Sequence, residues 1–121
     1  MRTIIAGSRT LVSMKIVVAA VAEAGWPVSS VLSGGARGVD YLGECWAKTN
    51  KIPLTVCPAD WELLGKSAGF ARNVEMANDA DALIAVWDGI SRGTKHMIDT
   101  AKAKGLKVYV HNLAIIGRIQ S

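Results

Sequence analysis

Five short apolar runs alternate along the chain with longer segments in which apolar and polar positions are mixed. Apolar runs of this length, rich in β-branched residues, are typical of strands buried in a parallel sheet. The runs extend from Thr3 to Ala6, Val31 to Leu32, Leu54 to Val56, Ala82 to Val86 and Lys107 to Val110. The pattern therefore predicts five short, buried strands.

The segments between these runs show helical periodicity. The predicted helices extend from Leu11 to Ala24, Val39 to Asn50, Ala68 to Ala80 and Gly93 to Lys104. Regular alternation of strand and helix favours right-handed βαβ crossovers, with helices on both faces of a parallel sheet. We therefore expect an α/β, Rossmann-like three-layer sandwich with about five parallel strands in the order 3-2-1-4-5. The connection from Ala59 to Ser67 is predicted to be the one long irregular loop.

The composition fits a single domain over residues 1–121, since half of the 121 residues are hydrophobic. The longest apolar stretch, from Ile16 to Ala22, is far shorter than the roughly 20 residues that cross a bilayer. Because no signal peptide is recognisable at the start, we expect a cytoplasmic protein without a membrane segment. The tail from Asn112 to Ser121 is expected to pack onto its own domain.

Charge and cysteine content narrow the candidate chemistry only slightly. The net charge of +4 favours anionic ligands without requiring nucleic acid. Cys45 and Cys57 lack the spacing of metal ligands and are interpreted as buried free thiols. No metal site and no cofactor are predicted.

Three strand exits combine small residues with arginine, at the sheet edge where ligands bind in open parallel sheets. Glycine lets backbone amides approach a ligand, and a helix that begins directly afterwards points unpaired N–H groups at an anion. One glycine loop would indicate only a tight turn, but three at one edge favour a phosphate site. The exits are Gly7-Ser8-Arg9, Ser33-Gly34-Gly35-Ala36-Arg37-Gly38 and Asp88-Gly89-Ile90-Ser91-Arg92-Gly93-Thr94.

Arginines and carboxylates near this edge each have two interpretations. Arg9, Arg37 and Arg72 suit bidentate recognition of phosphate, although a surface role explains each one nearly as well, and Arg92 is the weakest candidate. Asp40 either caps the second helix, which we favour, or accepts a hydrogen bond from a ribose hydroxyl.

The remaining candidates are a carboxylate, an aromatic side chain and three serines. Asp88, at the end of the fourth strand, is suited to bind a ligand hydroxyl. Trp61 lies in the long loop and could stack on a base. Ser8, Ser33 and Ser91 have no histidine at triad spacing, so nucleophilic serine chemistry is unsupported.

Four motifs together resemble the SLOG superfamily, and most closely its small stand-alone YspA-like branch. They occur in the expected order between Arg2 and Val110. The resemblance implies a Rossmann-like fold that binds a nucleotide, a nucleotide-derived signal or nucleic acid, commonly as a homodimer or larger homo-oligomer. The motifs are Gly7-Ser8-Arg9, Ser33 to Asp40, Ala71-Arg72-Asn73 with Met76, and Trp87-Asp88-Gly89 followed by Ser91 and Gly93-Thr94.

Two related groups suggest alternative functions. The Lonely Guy phosphoribohydrolases cleave an N-glycosidic bond in a nucleoside monophosphate with an arginine and a glutamate. Arg72 matches the arginine, but Met97 occupies the glutamate position and cannot accept a proton. If the protein is an enzyme, Arg72 is the catalytic candidate, and Asp88, Asp40 or Glu75 replaces the missing carboxylate.

The second group is DNA-processing protein A, which has similar Ser-Gly-Gly-Ala-Arg-Gly and Arg-Asn motifs and implies single-stranded DNA as another ligand. Exposed aromatic side chains for stacking are few, with Trp61 and Tyr41 the candidates. We therefore expect binding of a nucleotide-derived molecule without turnover, for sensing, carrying or sequestering. The predicted ligand-binding residues are Gly7, Ser8, Arg9, Ser33, Gly34, Gly35, Ala36, Arg37, Gly38, Asp40, Trp61, Arg72, Asn73, Asp88, Gly89, Ser91, Gly93 and Thr94.

Overall fold

The computed structural model describes residues 1–11 and 13–113, with the side chains of Trp61 and Lys66 excepted. Residues 114–121 of the predicted tail lie outside this part of the chain. The strands are β1 (Arg2–Gly7), β2 (Ser30–Ser33), β3 (Leu54–Val56), β4 (Ala82–Trp87) and β5 (Lys107–Asn112). The helices are α1 (Met14–Ala24), α2 (Val39–Thr49), α3 (Trp61–Leu64), α4 (Ala68–Asp79) and α5 (Arg92–Ala103), with a 3₁₀ turn at Gly65–Ser67.

The five strands form one parallel sheet in the order β3-β2-β1-β4-β5. This confirms the predicted Rossmann-like α/β fold and its strand order. The chain builds outward from β1 to β3, then returns to pair β4 against the free side of β1, where Ile5 lies opposite Ile84. The strand order therefore reverses between β1 and β4, and the loops that follow these strands border the resulting crevice.

Successive side chains of each strand enter different halves of the core, because strand side chains alternate between the two faces. Ile4 of β1 packs with Leu83 and Met97 in the layer that α4 and α5 cover. Its neighbour Ile5 packs with Ile84 and other apolar residues beneath α1 and α2. Burial on both faces explains why β1 and β4 are almost entirely apolar.

The edge strand β3 departs from the prediction of five buried strands. Thr55 and Val56 are exposed, because only one side of β3 is paired and few residues cover its outer part. Cys57, directly after this strand, is half-buried, as is Cys45 in α2, so the prediction of two buried thiols was too strong. Both cysteines are free thiols.

One predicted helix boundary was wrong, and one short helix was missed. The first helix begins at Met14 and not at Leu11, because the hydroxyl of Ser8 contacts both the backbone amide and the hydroxyl of Thr10 and holds a turn ahead of it. The segment predicted as an irregular loop contains α3 and the 3₁₀ turn. The Asp60 carboxylate accepts a hydrogen bond from the Leu63 amide at 3.0 Å and starts this short helix.

Among residues 1–11 and 13–113, no helix is long and apolar enough to cross a membrane. The same part of the chain contains no cluster of three His, Cys, Asp or Glu side chains that could hold a metal ion.

Candidate functional site

The loops after β1 and β2 are in direct contact at the carboxyl edge of the sheet. The Val39 amide, at the start of α2, donates a hydrogen bond to the Ser8 carbonyl at 3.0 Å. Gly38 precedes it with a φ of 73°, and a Cβ there would lie 2.5 Å from the carbonyl carbon of Arg9. Only glycine fits this position, so the motif glycine brings the two loops together.

Arg72 of α4 reaches across to the loop after β2. Its Nη1 donates to the Gly34 carbonyl at 2.5 Å, and its Nε donates to Asn73 Oδ1 at 3.0 Å. A Cβ on Gly34 would lie 2.6 Å from the guanidinium carbon of Arg72 and 2.8 Å from Asp40 Oδ2. The glycine at position 34 therefore leaves space beside the loop for both of these charged groups.

Asp40 is a buried carboxylate, 5% exposed, in the first turn of α2. Its Oδ2 accepts a hydrogen bond from the Ala36 amide at 3.3 Å, whereas Gly38 occupies the N-cap position and no side chain caps α2. The predicted capping role was therefore wrong, because the carboxylate turns back to the preceding loop. Burial raises the pKa of Asp40, against the opposing effects of the Ala36 amide and the Arg72 guanidinium.

Two adjoining cavities lie at this edge. The larger, which we call the outer cavity, has a volume of about 520 Å³. The smaller, which we call the inner chamber, has a volume of about 60 Å³ and lies between the carboxyl end of β1 and the start of α5. Arg9, Ala36 and Arg72 belong to the walls of both, so the two spaces meet at these residues.

The wall of the outer cavity and the wall of the inner chamber differ in chemistry. The outer cavity is otherwise lined by Gly34, Gly35, Arg37, Val56, Pro58 and Ala59, which provide backbone, a further positive charge and one apolar side. The inner chamber is otherwise lined by Ala6, Gly7, Asp40, Asn73, Met76, Ser91, Gly93, Thr94 and Met97. A third hollow of about 580 Å³ continues beyond Pro58 and Ala59, with acidic Asp60 and Glu62 in its wall.

The loop after β4 is closed by its own side chains. Asp88 Oδ1 accepts hydrogen bonds from the amides of Ile90 and Ser91, both at 2.8 Å. These bonds lower the pKa of Asp88, with the Ser91 amide contributing most. The Ser91 hydroxyl accepts from the Thr94 amide and so caps α5. These hydrogen bonds therefore use donors and acceptors of the loop to form the start of α5, which leaves fewer of them for a ligand.

The structure brings most of the predicted ligand-binding residues into the two walls. The residues brought together are Gly7, Arg9, Gly34, Gly35, Ala36, Arg37, Asp40, Arg72, Asn73, Ser91, Gly93 and Thr94. Those placed outside both walls are Ser8, Ser33, Gly38, Asp88 and Gly89. The side chain of Trp61 is outside the described part of the structure.

Ser33 has a supporting role. Its hydroxyl donates to Glu44 Oε2 at 2.6 Å and accepts from the Gly35 amide at 3.1 Å, so it holds the loop after β2 onto α2. The sequence prediction missed the apolar side of the outer cavity, which comes from residues after β3. The predicted strand order contained the signal, because it already placed the end of β3 beside the loop after β2.

A doubly wound parallel sheet, with glycine-containing loops at its strand reversal, defines a Rossmann-like α/β protein. The model of the YspA, cpYpsA-related SLOG family (YAcAr) matches residues 1–63. The chain belongs to this family, which confirms the predicted membership of the SLOG superfamily. The matched region includes the loops after β1 and β2 and ends before Arg72.

One curated relative is a phage protein. The Gene 61 protein of Mycobacterium phage D29 is 40% identical over 84 residues, which cover 64% of this chain and 67% of that protein. No solved structure matches the chain.

Proposed function

We propose that the protein binds a nucleotide or nucleotide-derived small molecule in the outer cavity and inner chamber, without turnover. The observation that carries the proposal is the convergence of Arg9, Arg37 and Arg72 on one cavity of about 520 Å³. This volume is within the range of ordinary small-molecule sites. Membership of the SLOG family supports a nucleotide-related role at the level of the family.

The contacts of Arg72 support a phosphate subsite at the junction of the two cavities. Two of its N–H groups bind Gly34 and Asn73, which fixes the guanidinium in the wall. Arginine binds phosphate through planar, charge-assisted hydrogen bonds, and Arg9 lines the same junction. A phosphate there would leave the sugar or base against Val56 and Pro58, on the apolar side of the outer cavity.

The absence of turnover is inferred from Met97. This residue stands where the similar phosphoribohydrolases carry glutamate, and its buried side chain lines the inner chamber. A thioether neither accepts a proton nor stabilises an oxocarbenium ion. Of the three carboxylates considered as replacements, Asp40 lines the chamber, Asp88 is bound to its own loop, and Glu75 is exposed on α4.

A small ligand is favoured over single-stranded DNA by the charge beyond the outer cavity. A polynucleotide that left the cavity past Pro58 and Ala59 would meet Asp60 and Glu62. Like charges along the path oppose a phosphate backbone. A short nucleotide ends before this acidic region.

The first experiment is native mass spectrometry of freshly purified protein, followed by identification of any molecule released on denaturation. An intact nucleotide would support the proposal, whereas a free base with ribose phosphate would favour hydrolysis. Affinity that grows with oligonucleotide length and falls steeply with salt would favour DNA binding. The same spectra give the number of chains per particle and so test the predicted homo-oligomer.

Calorimetric titration with nucleoside 5′-monophosphates and diphosphates then tests the location. Arg37→Ala removes a charge from the outer cavity, and Arg92→Ala removes the same charge from an exposed residue outside both walls. Loss of a hydrogen bond from a charged donor costs about 1.5–3 kcal/mol, so we expect at least tenfold weaker binding for Arg37→Ala. The control should change affinity less than about twofold. Equal losses in both variants would reject the location, and no binding to any nucleotide would reject the function.

A further inference from the structure

Asp40 is the one acidic side chain among the described residues that line the inner chamber. The other polar side chains of this wall each carry a hydrogen-bond donor or a positive charge. They are the guanidinium groups of Arg9 and Arg72, the amide of Asn73 and the hydroxyls of Ser91 and Thr94, to which the first backbone N–H groups of α5 are added. A chamber of this composition favours an anion everywhere except at one buried carboxylate.

The groups that face Asp40 come from several elements. Arg72 approaches from α4 and Glu44 from the next turn of α2, with opposite effects on the carboxylate charge. The backbone amide of Ala36 donates from the loop after β2, and the amide of Gly7, at the end of β1, also lowers the pKa of Asp40. From the side of α5, His96 is present only behind Asn73, whose Nδ2 lies 3.2 Å from His96 Nδ1.

This environment provides incomplete compensation for a negative charge. Asp40 is 5% exposed, so water solvates it little, and the hydrogen bond that it accepts from the Ala36 amide is long at 3.3 Å. Burial outweighs the favourable partners and raises the pKa of Asp40. An anion in the same chamber would add a like charge, and like charges that share a site favour protonation of one of them.

We propose that an anionic group enters the inner chamber together with one proton, which Asp40 takes up, so that Asp40 determines the net charge that the chamber accepts. This inference rests on the proposed function, because it assigns the inner chamber to the anionic part of the nucleotide-derived ligand. The proton comes from solvent and forms an O–H bond on the carboxylate, with no other covalent change. The new O–H group then donates towards the anion instead of repelling it.

The direction in which binding affinity changes with pH distinguishes this proposal from the opposite arrangement, in which binding releases a proton. If a ligand hydroxyl occupied the chamber and donated to an ionised Asp40, binding would release a proton and strengthen as the pH rises. If an anion occupies the chamber with a proton, binding weakens as the pH rises above the pKa of Asp40 in the free protein. For one linked proton the dissociation constant approaches a tenfold increase per pH unit, about the limit set by linkage.

The test is a titration of inorganic sulfate at constant ionic strength between about pH 5 and pH 8, where sulfate keeps its charge. We expect the dissociation constant for sulfate to rise with pH in the natural protein. Asp40→Asn should bind sulfate with little pH dependence and more tightly than the natural protein at the highest pH. The control Asp99→Asn makes the same change in charge on an exposed part of α5 and should keep the slope.

The variants also separate Asp40 from His96, which is unchanged in both. A slope that persists unchanged in Asp40→Asn belongs to another group and overturns the inference, as does a slope of opposite sign or none in the natural protein. If Asp40→Asn fails to fold, calorimetry of the natural protein in buffers of different ionisation enthalpy measures proton uptake directly, and zero uptake overturns the inference.

The two proposals fail in different ways. Nucleotide binding without sulfate binding, or sulfate binding without proton uptake, overturns the inference and leaves the proposed function standing. Loss of both nucleotide and sulfate binding overturns both.

Discussion

The loops after β2 and β4 begin from similar sequences and end with different roles. Each follows the carboxyl end of a strand beside β1, contains glycine at positive φ and carries an arginine, either Arg37 or Arg92. The loop after β2 has a nearby partner, since its Ala36 amide donates to Asp40, but it also binds a distant group, because Arg72 of α4 donates to the Gly34 carbonyl. The loop after β4 is held by its own Asp88.

This difference bears on what each loop can bring to a cavity wall. A loop held by its own carboxylate brings no further group with it, whereas a loop that binds a distant group carries that group into the wall. Arg37 accordingly lines the outer cavity, and Arg92 is exposed outside both walls. The residue types of a motif therefore predict the role of a loop less well than the positions of the groups that hydrogen-bond to it.

The largest expected effect comes from adding one methyl group at Gly34, in the loop after β2, and at Gly93, in the first turn of α5. Gly34→Ala would drive a Cβ into the Arg72 guanidinium and the Asp40 carboxylate, and we expect about 1–3 kcal/mol lower stability together with weaker nucleotide binding. Gly93→Ala meets no atom within 4 Å and lies in α5, so its stability should stay within about 0.5 kcal/mol or improve. Urea unfolding of both variants measures the contrast, and equal losses would contradict the difference between the loops.

A second contrast concerns the two aspartates and the dependence of stability on pH. The lowered pKa of Asp88 means that its stabilisation is present above the ordinary aspartate pKa and is lost as the pH falls through the lowered value. The raised pKa of Asp40 has the opposite sign, so its favourable contribution is present in acid and is lost as the pH rises through the raised value.

At pH 7 we therefore expect Asp88→Asn to lower the melting temperature and Asp40→Asn to raise it by a few degrees, with both differences shrinking in acid. Asparagine at position 40 retains an oxygen for the Ala36 amide, which makes it a close isostere. Thermal unfolding of both variants from about pH 2 to pH 8 measures the two trends. A lower melting temperature for Asp40→Asn at pH 8 would mean that attraction by Arg72 exceeds the cost of burial.

The smallest effect is expected from the cap of α5. Ser91→Ala removes the hydroxyl that contacts the Thr94 amide at 3.5 Å and the Thr94 hydroxyl at 3.1 Å. Because the amide contact is long, we expect a loss of about 0.5–1 kcal/mol, at the low end for an N-cap. Ser13→Ala is the matched control, since Ser13 precedes α1 without a side-chain cap bond. A loss as large in the control would show that cap position alone, without its bond, explains the effect.

The fold could be predicted because the apolar runs and helical segments alternate so regularly. The five strands and their order followed from that alternation and from the handedness of crossovers. The four-residue helix α3 was missed because it is barely longer than one turn and shows no repeat of its apolar face. Asp60, directly before it, was the available signal for its start.

The site was predictable only as far as topology determines it. The sheet rule identified the loops that border the two cavities, but nothing local indicates that Arg72 binds a carbonyl 38 residues earlier. The hydrogen bonds that close the loop after β4 could have been predicted, since an aspartate before glycine often accepts from the amides two and three residues further along the chain. Burial was overstated around β3 because the sequence pattern does not distinguish an edge strand from a central one.

The two hydrogen bonds of Arg72 also affect the entropy cost and the selectivity of binding. Immobilising a long side chain during association costs about 0.5–1.5 kcal/mol. Gly34 and Asn73 already restrict the torsions of Arg72, so this entropy is lost when the chain folds and not when a ligand arrives. A guanidinium held in one rotamer also makes binding selective for the shape of the ligand. It cannot move to reach an anion that lies about one bond length too far away.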